Sequence, residues 1–341
     1  MKNYQCICGQ AVFFENSHCM ACSRRLAWYP PTARLLSLES VDVQAGTATG
    51  AADGQIYRLC RNDVQHNVCN WLISDEKANY CISCNLNQTI PNLRAPDRRL
   101  WWHSMENAKR RLLYTLISLG LPVVSKTENP ATGLAFEFIE DKRSNPKVAL
   151  EFVSTGHKNG LITVNVTEAD HVRREITRQS LGESYRTLLG HFRHESGHYY
   201  FPRLLNTHER VVAFRELFGD ESRDYTAALE SYHANREILP WPPDMISHYA
   251  QAHPLEDWAE CWAHYLHMVD TLETARGFGF GSGSMGGANE DIDPMLAQWG
   301  ELTVMLNALN RSMGMADAYP FILSAVSIRK LRFVHSLVCP R

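Results

Sequence analysis

Apolar positions recur every three or four residues through "RRLWWHSMENAKRRLLYTLISLG", Arg98 to Gly120. That spacing predicts an amphipathic helix that stops at Gly120, ahead of Pro122. The pattern then turns to alternation. "GLAFEFIE", "KVALEFVS" and "GLITVNVT" read as antiparallel strands, with "TGHKNG" as the turn between the last two. Helical spacing returns in "EADHVRREITRQSLGESYRTLLGHFRHESGHYY", with a break at Gly182, and again after Pro254 in "YAQAHPLEDWAECWAHYLH". The apolar C-terminal stretches "LTVMLNALNRSMG" and "FILSAVSIRKLRFVHSLV" are expected to pack against those helices. The fold class that follows is α+β, mainly helical with a small antiparallel sheet.

Before Arg98 the pattern has no such periods, and cysteine takes over. Eight of the ten cysteines precede residue 85. They fall as Cys6, Cys8, Cys19 and Cys22, then Cys60, Cys69, Cys81 and Cys84. The C-x-x-C pairs Cys19/Cys22 and Cys81/Cys84 each present two thiolates on a tight turn, and an upstream pair completes four sulfurs. His18 and His66 are available to replace a cysteine in either set. Disulfides would need an oxidising compartment, and no secretory leader pattern opens the chain, so a cytoplasmic protein with two structural zinc ions is expected. Short segments such as "AVFFE" and "QIYRL" would form the hairpins of a zinc ribbon, whose small apolar content needs metal as its core. "LNQTIPNLRAPDRR" reads as a linker, which places a boundary near residue 92: a zinc-ribbon region over 1–92 and a second domain over 93–341.

Bulk composition excludes more than it selects. A net charge of −3 does not suit a nucleic-acid-binding surface, so nucleic acid is not an expected partner. The longest apolar run, Leu112 to Val124, is too short to span a bilayer. The glycine-dense stretch Gly277 to Asp291 lacks the preceding strand and the Gly-Lys-Ser/Thr of a phosphate loop. It reads as a flexible linker or a lid.

The chemistry sits in "HESGH", His194 to His198. Two histidines four apart lie one above the other on a helix and can hold one ion, with Glu195 turned toward a water at that ion. A catalytic zinc takes three protein ligands and leaves one position open. Glu256 and Glu260, four apart on one face of a later helix, offer the third. The alternative is an amphipathic helix with a solvated acidic face, on whose other side Trp258, Cys261 and Trp262 simply pack.

The segment E-x-x-A-E, Glu256 to Glu260, resembles the glutamate helix of gluzincin metallopeptidases. The resemblance implies Glu256 as the third ligand and Glu260 as the outer carboxylate on a zinc-bound histidine, although the two can exchange roles. His264 falls on the same face, as a substrate donor or a further outer group. Tyr249 resembles the phenol that stabilises the oxyanion in some gluzincins. Over nearly its whole length the chain, with "CNW", "LNQTIPNL", "LLGHFRHESGHYYF" and "HPLEDWAECWAHYLHMVDTLETA", resembles a bacterial family of zinc-binding metallopeptidases with an N-terminal zinc ribbon. That resemblance implies a zincin-like domain, one catalytic zinc, and hydrolysis of a peptide or protein substrate with Glu195 as general base. The strand "GLITVNV" would then hold an extended substrate along its edge. Two rival readings remain: an adaptor whose ribbon binds a protein or nucleic acid beside a slow or inactive scaffold, and an amidase acting on a non-peptide amide.

Overall fold

The computed structural model describes residues 2–180, 186–236, 240, 242–281 and 291–340. The cysteine-rich segment opens with a short antiparallel pair, β1 (Tyr4–Gln5) and β2 (Ala11–Val12). An antiparallel meander follows: β3 (Arg25–Tyr29), β4 (Arg34–Asp42), β5 (Thr47–Gly50), β6 (Ile56–Leu59) and, after helix α1 (Arg61–His66), β7 (Leu72–Ile73). Alternation builds its core. In β6, Tyr57 and Leu59 point inward while Ile56 is exposed, the two-residue period of a sheet with one covered face. Ala27, Leu38, Ala48 and Leu72 complete that cluster. On the other side Phe14 meets Trp28, Trp71 and Tyr114 edge-on.

Helix α2 (Arg98–Ser118) matches the predicted span. Trp102, Met105, Leu112, Leu113 and Leu116 are fully buried at helical spacing. Gly120 ends it at φ +69°, a left-handed conformation that glycine adopts without Cβ strain.

The second sheet departs from expectation. It contains β8 (Asn87–Thr89), β9 (Ala135–Ile139), β10 (Gly156–Lys158) and β11 (Leu161–Asn165), in the order β10–β11–β9–β8. β9 runs parallel to both β8 and β11, so the sheet is mixed rather than antiparallel. Only β10 and β11 form a hairpin, turning at Asn159-Gly160 where both residues have positive φ. "KVALEFVS" forms no strand, and its Leu150 and Phe152 are exposed. The polar groups beside it explain this. The buried Asp141 carboxylate accepts from the Val153 N–H and the Asn165 amide, and those bonds hold the segment in a loop. β8 lies inside the stretch expected to be a linker. β11 has β10 on one edge and β9 on the other, which leaves it no edge for an extended substrate.

The chain divides into two compact units, Met1–Tyr114 with Val123–Arg174, and Thr115–Pro122 with Glu175–Arg341. Among the described residues every strand lies in the first. The second is helical: the end of α3 (His171–Ser180), then α4 (Leu188–Leu204), α5 (His208–Phe218), α6 (Tyr225–Asn235), α7 (Pro254–Gly277), α8 (Ile292–Ser312) and α9 (Ala325–Val338). α7 is its axis and packs against α4, α5, α8 and α9. The expected break at Gly182 and most of the expected lid lie outside the described residues. No described helix is long and apolar enough to cross a membrane.

Candidate metal centre

The eight N-terminal cysteines gather as two groups of four, Cys6/Cys8/Cys19/Cys22 and Cys60/Cys69/Cys81/Cys84, without help from His18 or His66. All are free thiols. Sulfur separations of 3.5 Å for Cys6–Cys22, 3.6 Å for Cys8–Cys19 and 3.6 Å for Cys69–Cys81 are far from the ~2.05 Å of a disulfide. They approach the ~3.8 Å edge of a tetrahedron with Zn–S bonds of about 2.3 Å. Donors surround the sulfurs in a way that favours thiolate. The N–H groups of Trp71, Cys81 and Cys84 each point at a sulfur at 3.4 Å, and Ser37 Oγ donates to Cys6 at 3.3 Å. Both sets fit zinc.

The other cluster is made where α4 and α7 meet. Trp258 and Trp262 do not turn away from the site helix. Their indole N–H groups donate to Gly197 O and Ser196 Oγ, each at 2.9 Å. This fixes the two helices against each other at the level of the histidines. A Cβ at Gly197 would meet the Ala259 backbone at 3.0 Å and Trp262 at 3.1 Å. Glycine here is a requirement of close helix contact. At the start of α7, His253 caps the helix by accepting from Leu255 N–H, and Glu256 sits in the first turn.

His194 Nε2 and His198 Nε2 are 3.3 Å apart. Glu256 Oε2 lies 3.0 Å from the former, and its Oε1 lies 3.5 Å from the latter. An ion with bonds of about 2.0–2.1 Å in tetrahedral geometry spaces its ligand atoms about 3.3 Å apart. On the far side of the ring, Glu260 Oε1 accepts from His194 Nδ1 at 2.7 Å. That bond holds a ring proton on Nδ1, so a metal taken up at Nε2 would find the ring already oriented. Without a metal, Nε2 facing the Glu256 carboxylate is where a second proton binds. Burial works against a charge on His194, but Glu256 and Glu260 outweigh it and raise its pKa well above the ordinary value. Glu256, also buried, is held well below the usual carboxylate range by His194 and His198. The pocket is built for positive charge, and a divalent metal fits it.

Residues 98–337 match a family model described as "Putative zinc-binding metallo-peptidase", and residues 3–95 match a zinc-ribbon domain. The chain belongs to this zinc-binding metallopeptidase family. Uncharacterized proteins of Mycobacterium bovis and of two Mycobacterium tuberculosis strains are each 38% identical to it over 346 residues, spanning 99% of this chain and 95% of theirs. No solved structure matches.

The remaining predicted residues of this metallopeptidase-family chain separate into two sets. Glu195 is buried on α4, and burial raises its pKa above the ordinary carboxylate value despite His194 and His198. Tyr249 stands on a short turn before α7, its ring 5.9 Å from that of His194. Burial and then the Glu256 charge raise its pKa. His264 is different. Its Nε2 bonds the Tyr319 hydroxyl, and its ring packs on Tyr319 and Phe321.

Sequence reasoning missed Tyr225, whose hydroxyl donates to Glu256 Oε1 at 2.5 Å. Thirty-one positions separate the two, and no spacing rule joins them. It also missed Lys330, which pairs with the buried Asp257 beside Glu256 and ties α9 to the first turn of α7. The buried pair Arg193–Asp270, 2.7 Å apart, joins α4 to α7 on another face.

Proposed function

We propose that this protein is a zinc-dependent hydrolase of peptide bonds, with a zincin-like second domain over 93–341 and the ligand arrangement of a gluzincin. The observation that carries the reading is the convergence of His194 Nε2, His198 Nε2 and the Glu256 carboxylate, with Glu260 on the outer nitrogen of His194. In this reading His194, His198 and Glu256 hold the metal, and Glu260 orients His194 as an outer carboxylate. When bound, zinc would supply Lewis-acid polarisation of the scissile carbonyl and make water more acidic at the site.

Glu195 does the proton work. Its carboxylate takes a proton from the attacking water, and as the C–N bond breaks it delivers that proton to the leaving amine nitrogen. Burial raises its affinity for a proton above that of an ordinary carboxylate, which lets it hold the proton until transfer. Tyr249, held protonated by its surroundings, is placed to donate to the oxyanion that forms on the carbonyl.

The test is Glu195→Gln. It keeps the size and the metal ligands and removes the base, so full zinc content with cleavage of a casein-like substrate lowered about 10²–10⁴-fold is the expected result. Equal turnover by the variant refutes the mechanism.

A further inference from the structure

We infer that Tyr225 is a positioning residue that restricts Glu256 to binding the metal through one oxygen, an inference that rests on the zinc reading above. Glu256 is 1% exposed. Its Oε2 lies 3.0 Å from His194 Nε2, while its Oε1, 3.5 Å from His198 Nε2, receives the Tyr225 hydroxyl. A buried carboxylate oxygen without a donor costs free energy. The phenol supplies that donor, and an oxygen already engaged by a proton donor is a poorer metal ligand, which leaves Oε2 as the metal-binding oxygen. One-oxygen binding matters because a second would fill the position a hydrolase keeps open for water.

The placement of Tyr225 is tied to that of Glu256 through His253. Tyr225 is the first residue of α6, behind the capping Asp224 whose side chain accepts from Ala227 N–H. Its ring meets the His253 ring edge-on at 5.1 Å. His253 caps α7 through Nδ1, and its Nε2 donates to Arg223 O at 3.2 Å. One neutral imidazole thus ties the loop before Tyr225 to the turn that carries Glu256. Tyr225 is 39% exposed, so it covers the solvent side of a ligand that is itself sealed off.

The experiment uses the full-length protein loaded with zinc or cobalt(II). Tyr225→Phe removes one oxygen from a partly exposed ring and preserves the packing on His253. It is expected to weaken zinc at the His194 site about 10–100-fold in chelator competition. The visible absorption of the cobalt form should fall as four-coordinate metal becomes five-coordinate. Tyr232→Phe removes a phenol from the same helix, one that bonds His248 instead, and is expected to leave both readings at wild-type values. Unchanged zinc affinity and an unchanged cobalt spectrum in Tyr225→Phe overturn this inference and leave the metal site standing. A wild type whose zinc content does not fall on His194→Ala overturns the site reading itself.

Discussion

Individual side chains here are defined by what stands on both sides of them. His194 and His264 have the same ring and lie in the same helical unit. His194 faces two carboxylates, which draw positive charge to it. His264 is buried against Tyr319 with Arg193 and His267 nearby, and burial lowers its pKa to about 4. Its ordinary value is near 6.5, so the neutral form is the one the fold selects. The stability that follows is complete above about pH 6.5 and is lost as pH falls through about 4, at most about 3 kcal/mol. Wild type compared with His264→Gln by thermal unfolding should therefore lose its advantage over that interval. A pH-independent difference would show that His264 does not carry it. The chemical identity of HESGH was legible in the sequence because ligand spacing on one helix is local. The role of His264 was not, because its partner Tyr319 is 55 residues away and enters through another segment.

At the scale of elements, the site depends on how closely α4 approaches α7. Gly197 is the contact point, and the Trp258 and Trp262 indoles bond across it. Gly197→Ala should cost about 1–3 kcal/mol of stability through overpacking. It should also lower zinc affinity, since His194 and His198 flank the displaced position. A variant with wild-type melting temperature and metal content would contradict this account of the packing. Helices α2, α4 and α7 were readable from periodicity and stop signals. The sheet was less so. Alternating apolar residues in "KVALEFVS" suggested a strand, but the hydrogen bonds of Asp141 hold that segment in a loop. The parallel pairing of β9 with β8 and β11 depends on connections that alternation does not encode.

For the whole molecule, the expected zinc content is three per chain, two in cysteine sites and one at His194, falling to two in His194→Ala. The two cysteine sites should differ in lability. Cys60, Cys69, Cys81 and Cys84 are all buried, whereas Cys8 is exposed and Cys22 half-buried. Arg110, also buried, lies near the second set. Burial opposes its charge, but Cys69, Glu106 and Cys84 stabilise it, so it in turn offsets the negative charge of the thiolates. Timed addition of a chelator, followed by metal analysis, should strip the Cys6 site before the Cys60 site. Release in the opposite order would mean that exposure does not control access.

Local spacing carried the signal of metal binding in this protein. The C-x-x-C thiolates on tight turns and the imidazoles one helical turn apart are brought together by backbone geometry within a few residues. Tertiary structure decided which carboxylate faces the imidazoles and which one backs His194. It also decided that Tyr225 holds Glu256 and that β11 has no free edge. Those facts come from contacts between segments tens of residues apart, whose register is set by helix packing and buried polar bonds rather than by any period along the chain.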